Sequence, residues 1–329
     1  MVGKTAVTLL AATFFLVSDP SQSQLGAAAR IPQIGILIPE SGPNEIQTLN
    51  GFREGLKELG YREGVSVQLA VRDTKGDGNA LKSAASELLK TKIDLLLTTG
   101  TRATRAAMGA TTMVPIIFRH PANPVDLGFV KDLDRPGTNV TGVAALSRQS
   151  TKKRLQILKE IMPNLRRVFL FYYINDRYSD MNLRAAEEAA SALRLEVAER
   201  GVKSVDELKN SVRQLQTKVG DAIFHMPDDL VESQARFILD EAKKQRLVTM
   251  FNEEIWAAEG SLATFGPNYY QMGQQAAQLA HKILQGGKPK DLAVMRASKY
   301  DVVINLRTAS IVGLNIPPEI LNKADRVIR

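Results

Sequence analysis

The chemistry this chain can offer rests on a small set of residues placed where short apolar runs end. They are Glu40 and Ser41, Gly100 and Thr101, Arg119 and His120, Asn123, Tyr173, Asn175, Asp228, and Phe251 with Glu253. Hydroxyls, amides, carboxylates and a guanidinium among aromatic rings suit capture of a polar small molecule with an apolar body. The same polar types are ordinary helix caps and turn formers, so each residue taken singly reads either way. Their shared position at strand ends is what groups them into one expected ligand cleft. An acid–base reading would pair His120 with Asp228 or Glu253, yet nothing places a nucleophile beside His120. The carboxylate pairs Asp228-Asp229 and Glu253-Glu254 do not make two-carboxylate sites by themselves, because adjacent strand residues point to opposite faces.

Other chemistries are excluded more firmly. None of the 329 residues is cysteine, which removes disulfides, iron–sulfur clusters, thiolate zinc sites and a cysteine nucleophile. The histidines, His120, His225 and His281, are too few for a His-rich metal centre. Phosphate-loop, zinc-protease and nucleophile-elbow motifs are absent from the sequence. Gly76-Asp77-Gly78 lacks the third glycine of a dinucleotide fingerprint and reads as a polar loop. No cofactor, no metal and no catalytic residue is expected. The net charge of +8, from 43 basic and 35 acidic residues, does not point to nucleic acid. The two signs alternate, and the densest basic cluster, Lys152-Lys153-Arg154, is followed by Glu160 on the same expected helix.

The elements that must position these groups begin after a targeting segment. Residues 1–4 are short and positive, residues 6–17 are apolar but for Thr8 and Thr13, and Gly26-Ala27-Ala28-Ala29 precedes Arg30. That order is a secretory signal peptide, with cleavage expected near Ala29–Arg30 and Ser23–Gln24 as a competitor. The apolar run is too short to span a bilayer core. An exported, soluble, periplasmic protein is the expectation, in monomeric form.

From residue 34 onward, strands and helices alternate. Strands are expected at residues 34–38, 65–71, 93–97, 114–118 and 140–143, and again at 168–172, 195–197, 222–226, 247–251 and 262–265. Between them lie amphipathic helices, such as the one presenting Ile46, Leu49, Phe52, Leu56 and Leu59, and Ser204-x-x-Glu207 has capping-box spacing. Strand–helix alternation in two successive sets predicts an α/β protein of two doubly wound parallel-sheet lobes joined by a hinge. The expected division is lobe 1 at residues 30–145, lobe 2 at 146–267, a return to lobe 1 at 268–300, and a C-terminal segment, 301–329, assigned to neither lobe. Hinge crossings are expected near residues 145–147, 266–268 and 298–301.

The order of motifs resembles the ABC-transporter substrate-binding family that includes bacterial tryptophan- and tyrosine-binding proteins. The matching segments include Phe52-Arg53-Glu54-Gly55-Leu56, Thr99-Gly100-Thr101, and Pro115-Ile116-Ile117-Phe118 followed by Asn123-Pro124-Val125. Others are Arg135-Pro136-Gly137-Thr138-Asn139-Val140-Thr141-Gly142, Tyr269-Tyr270 after Phe265-Gly266-Pro267, and Val303-Ile304-Asn305-Leu306-Arg307-Thr308-Ala309. The resemblance implies a type I periplasmic-binding-protein fold whose lobes close on a solute and hand it to a membrane permease with its ATPase. It also implies that residues 39–42 and the Gly100-Thr101 turn contact ligand. Three positions depart from the pattern: Asn123 stands where the family carries Asp, Tyr173-Ile174 where it carries Asn-Pro, and Arg119-His120 where it carries a small apolar pair. Losing an acid and gaining Arg119 moves the expected pocket toward an anion, a carboxylate without an amino group, because a free amino acid needs an acidic partner for its ammonium. Asp228 or Glu253 can supply one, so the expected solute is a carboxylate, an aromatic acid or, less favoured, an amino acid. A sensing domain for a membrane signalling receptor is an alternative on the same fold, and an exported enzyme is a remoter one.

Overall fold

Near-continuous apolar strands can be satisfied only by burial on both faces, and parallel sheets covered by helices provide it. The structure, a computed structural model, describes residues 30–120, 122–174 and 177–329, so the expected signal peptide lies outside the described residues. Pro32–Arg329 forms one compact unit. Its first lobe opens with β1 (Gln33–Ile38), α1 (Pro43–Glu58), β2 (Gln68–Asp73), α2 (Ala80–Lys90), β3 (Leu95–Thr99), α3 (Gly100–Ala110), β4 (Ile116–His120) and β5 (Val140–Ala144). The second lobe continues with α4 (Ser147–Ile161), β6 (Arg167–Tyr173), α5 (Arg177–Ala192), β7 (Glu196–Val202), α6 (Val205–Arg213) and β8 (Asp221–Phe224). It goes on through α7 (Asp229–Ser233), α8 (Ala235–Lys244), β9 (Val248–Phe251), α9 (Glu254–Ala258) and β10 (Ala263–Pro267). Then α10 (Tyr269–Leu284) and β11 (Met295–Arg296) rejoin the first lobe. Finally β12 (Tyr300–Asn305), α11 (Leu306–Val312), α12 (Pro318–Leu321) and β13 (Arg326–Ile328) complete the second.

The first sheet has six strands in the order β11-β5-β4-β3-β1-β2, and the second has seven in the order β13-β12-β10-β9-β8-β6-β7. Strand pairs are parallel except β10 with β12. Residues 301–329 therefore extend the second sheet, where β12 pairs Val303 with Thr264 of β10. Each sheet has apolar cores on both faces. In the first lobe Ile36, Phe52 and Met272 pack on one side and Leu37, Leu88 and Phe118 on the other. In the second, Leu158, Leu170 and Ala190 lie on one side and Phe171, Leu208 and Ile238 on the other.

Local chemistry sets several element ends. Ser204 caps α6 by accepting from Glu207 N at 3.2 Å, and the Glu207 carboxylate accepts from Lys203 N at 2.8 Å. Asn139 donates to Val114 O at 2.8 Å, which ties the start of β5 to the approach to β4 and gives the Arg-Pro-Gly-x-Asn segment a structural role. Helices α1 and α10 approach each other so closely that a Cβ on Gly51 would lie 1.9 Å from Tyr270 O, and one on Gly273 would lie 2.1 Å from Thr48 O. Only glycine tolerates that crossing, which packs the middle of α1 against the start of α10.

The chain passes to the second sheet after β5, returns after β10, and leaves again after β11. These passages are bonded to one another. Asn268 N donates to Lys299 O at 3.0 Å, Ala297 N donates to Ala144 O at 2.9 Å, and the Tyr300 hydroxyl donates to Ala145 O. The buried Leu146 sits at φ 50°, a left-handed conformation uncommon for leucine, at the first passage.

Candidate ligand-binding site

In doubly wound sheets, ligands bind outside the carboxyl ends of the strands. Here those ends face each other across a cleft of about 820 Å³. That lies within the range of small-molecule sites. Gly100 and Thr101 enter it from the first turn of α3, directly after β3, and Arg119 and His120 from the last positions of β4. From the second lobe come Tyr173 at the end of β6, Asp228 ahead of α7, and Asn252 and Glu253 after β9. Asn44 and Glu45 project from the first turn of α1 and Tyr269 from the first residue of α10, so the closely crossed helix pair also aims groups into the cleft.

The two walls differ in charge. Besides Arg119, the first lobe contributes Arg102 and Arg105 on the first turns of α3. A helix N-terminus favours negative charge, which adds to theirs. The second lobe contributes Asp228, Glu232 and Glu253. Arg119 is only 3% exposed, and its Nη2 donates to Glu45 Oε1 at 2.6 Å. Its guanidinium carbon lies 4.7 Å from the centre of the Tyr269 ring. The partner of Arg119 is thus Glu45, and the guanidinium is not a free anion clamp. The expected shift toward an anion, read from Asn123 and Arg119, thus meets a guanidinium already paired with Glu45 and acids on the opposite wall.

Glu253 crosses between lobes. Its Oε1 accepts from the Tyr269 hydroxyl at 2.6 Å and its Oε2 from Asn44 Nδ2 at 2.5 Å. Burial pushes its carboxyl above the usual carboxylate range, against the opposing pull of Tyr269, Asn44 and Arg119. Burial, then the neighbouring Glu253, raises the Tyr269 phenol well above its ordinary value. Asp228 already accepts three hydrogen bonds. It takes Tyr173 N at 2.7 Å, Val231 N at 3.0 Å and the Ser179 hydroxyl, so it caps α7 and fastens the end of β6 while lining the cleft. His120 is held at about 3 by burial and by the charges of Arg119 and Arg105, so its ring is neutral.

Of the residues expected at the site, Gly100, Thr101, Arg119, His120, Tyr173, Asp228 and Glu253 line the cleft. Glu40 and Ser41 do not. The chain turns outward after Pro39, leaving both exposed, and Ser41 instead hydrogen-bonds Asp73, lowering that carboxyl. Asn123 does not either, because its Oδ1 accepts from Val125 N at 3.1 Å in a local turn. Phe251 is fully buried beneath the cleft, with its ring stacked on His225 at 4.3 Å. Asn175 lies outside the described residues. Asn44, Glu45 and Tyr269 escaped sequence reasoning because they sit at helix starts brought together by a crossing between distant segments. The Tyr269-Tyr270 motif was the available hint. Among the described residues no group of His, Cys, Asp and Glu is disposed to hold a metal ion.

Two doubly wound lobes with a polar, aromatic cleft between their strand ends define a solute-binding protein of the type I periplasmic kind. The chain matches the family described as ABC transporter substrate binding protein over residues 33–328, and it belongs to that family, whose members are binding proteins and not enzymes. A relative described as a tyrosine-binding protein from Clostridioides difficile (strain R20291) is 27% identical over 272 residues, covering 83% of this chain and 78% of that protein. A solved ABC domain in complex with L-Trp from Streptococcus pneumonia is 26% identical with a TM-score of 0.80, covering 90% of this chain and 99% of that one. A ligand-free, open substrate binding protein with adhesive properties from Clostridium difficile is 25% identical with a TM-score of 0.76, covering 91% and 99%.

Proposed function

We propose that this protein captures a free amino acid with an aromatic or bulky apolar side chain outside the cytoplasm, as a monomer, and delivers it to an ABC permease. The observation that carries this reading is the opposed charge of the two walls. The basic first-lobe wall, with the α3 N-terminus, Thr101, Arg102 and Arg105, suits a carboxylate, and the acidic second-lobe wall suits an ammonium. A zwitterion bridging them gains both interactions only when the lobes hold it from both sides. Tyr173, Tyr269, Leu127 and Leu230 supply rings and apolar surface for the side chain. The tyrosine-binding and L-Trp-bound relatives support an amino acid of this kind. Among the described residues no helix is long and apolar enough to cross a membrane. Delivery therefore falls to the transporter partner that the family implies.

Calorimetry with L-tyrosine and L-tryptophan, alongside tryptamine and indole-3-propionate, tests the reading. The intact amino acid is expected to bind at least tenfold more tightly than either analogue, roughly 1.4 kcal/mol or more. Equal binding of indole-3-propionate would refute the zwitterion and return the ligand to the class of simple carboxylates.

A further inference from the structure

His120, the last residue of β4, lines the cleft, and its ring has a defined task. Its Nδ1 accepts from Ala122 N at 2.8 Å. A backbone amide can only donate, so Nδ1 holds the lone pair and, in a neutral ring, the proton resides on Nε2. That Nε2 lies 2.6 Å from Thr101 Oγ1. The ring therefore donates to the threonine oxygen, and the Thr101 hydroxyl proton must point elsewhere. Thr101 lines the cleft on the first turn of α3, and among the described residues its hydroxyl has no second partner. We propose that His120 is a positioning residue that commits the Thr101 hydroxyl proton to the cleft, so that this point of the first-lobe wall selects a ligand oxygen, the carboxylate of the captured amino acid. The proposal deepens the amino-acid reading above and rests on it.

Four further features fit the assignment. The ring is held edge-on against Phe129, with centroids 5.8 Å apart and planes at 84°, which fixes its orientation. The same burial that keeps the ring neutral prevents the doubly protonated form, in which Nδ1 would turn its proton on the Ala122 amide. A hydroxyl that accepts one hydrogen bond is polarised into a better donor for the next. Its direction also agrees with the α3 dipole, which attracts the same negative group.

Two measurements test this. Nitrogen-15 NMR of the imidazole, assigned with His120→Gln, is expected to show the Nε2–H tautomer with no titration from about pH 5 to about pH 8. An Nδ1–H ring, or protonation within that range, would overturn the relay whatever the ligand. Calorimetry with L-tryptophan is expected to show a loss of about tenfold to a hundredfold in Thr101→Val and in His120→Phe, the range of a hydrogen bond to a charged group. Thr101→Val combined with His120→Phe is expected to lose no more than Thr101→Val alone, and His120→Gln, whose amide can donate in place of Nε2, to recover most of the affinity. Tryptamine, which lacks the carboxylate, is expected to bind all variants alike. Additive losses, or an equal loss for tryptamine, would show a structural role only and overturn the proposal. If the wild type binds neither L-tryptophan nor L-tyrosine, the amino-acid reading falls together with the ligand half of this proposal, and the tautomer measurement decides the relay.

Discussion

Acid is expected to destabilise this protein more steeply than its carboxylates alone would dictate, because two histidines are buried without charge. His120 and His225 are 5% and 2% exposed. Burial, together with Arg119 and Arg105 for the first and Arg154 for the second, holds both at about 3 against an ordinary value of 6.5. Above about pH 6.5 the rings are neutral in folded and unfolded chains alike and contribute no slope. Below it the unfolded chain binds protons that the folded one refuses, so stability falls with pH by up to about 1.4 kcal/mol per unit for each ring. At about pH 5 this amounts to roughly 2 kcal/mol per histidine and roughly 4 for the pair, a large share of a typical folding stability. Glu253 acts in the opposite sense. Its carboxyl lies above its ordinary range, so the folded state takes up that proton first and acidification through the window adds stability. The contributions separate in His225→Asn, whose amide can still donate to Asn252 Oδ1, the present partner of Nδ1 at 2.9 Å. Urea unfolding of both proteins at about pH 7.5 and about pH 5 is expected to show the variant losing roughly 2 kcal/mol less than wild type. Equal losses would refute the assignment of His225 as a buried neutral ring.

Other consequences follow from the same contacts. Gly273→Ala would drive a Cβ to 2.1 Å from Thr48 O, and a loss of about 1–3 kcal/mol in chemical denaturation is expected, with weakened ligand binding because Asn44, Glu45 and Tyr269 move together. Asp228→Ala removes the acceptor of Tyr173 N, Val231 N and the Ser179 hydroxyl. Thermal unfolding without ligand is expected to fall by the equivalent of about 1–3 kcal/mol, and an unchanged midpoint would show that Asp228 serves the ligand and not the fold. Glu253 is expected to contribute stability that is lost as pH rises from about 4.5 through its raised value, opposing the two histidines, so Glu253→Gln is expected to gain stability more steeply than wild type over that window in a pH series of denaturation curves. Small-angle scattering with saturating ligand is expected to show a smaller radius of gyration, and an unchanged profile on confirmed binding would count against lobe closure.

Much of the fold was legible because parallel strands buried on both faces spell themselves as apolar runs, as at residues 34–38 and 93–97. Boundaries slipped where the runs misled. Residues 114–118 read as a strand, but β4 is Ile116–His120, which puts Arg119 and His120 inside the strand and not after it. Val65 is 66% exposed in a turn before β2 and belongs to no strand. The late strands were illegible for a different reason. β11 and β13 are two and three residues long, and their pairing with β5 and β12 is a tertiary fact. At the site, the rule that ligands meet strand ends found seven lining residues. It failed at Phe251, which is still the last residue of β9 and packs its ring into the core on one sheet face, whereas Asn252 and Glu253 follow the strand end and line the cleft.

Glu253 shows why the parts of the site most important for closure are the least visible in sequence. Its partners, Asn44 and Tyr269, belong to the other lobe and stand on helices whose crossing is set by Gly51 and Gly273. A net contribution of about 0.5–1.5 kcal/mol is typical of an ordinary hydrogen bond within a protein, and somewhat more is typical of one to a charged group. The latch they form is therefore worth only a few kcal/mol, less the penalty of burying the carboxylate. A contact of that size is small enough for a ligand to shift a balance between lobe arrangements, which the scattering experiment above tests. On the proposed function, a ligand ammonium entering beside Glu253 is expected to relieve the buried charge and strengthen the contact between the lobes, so that one carboxylate would serve recognition and closure together.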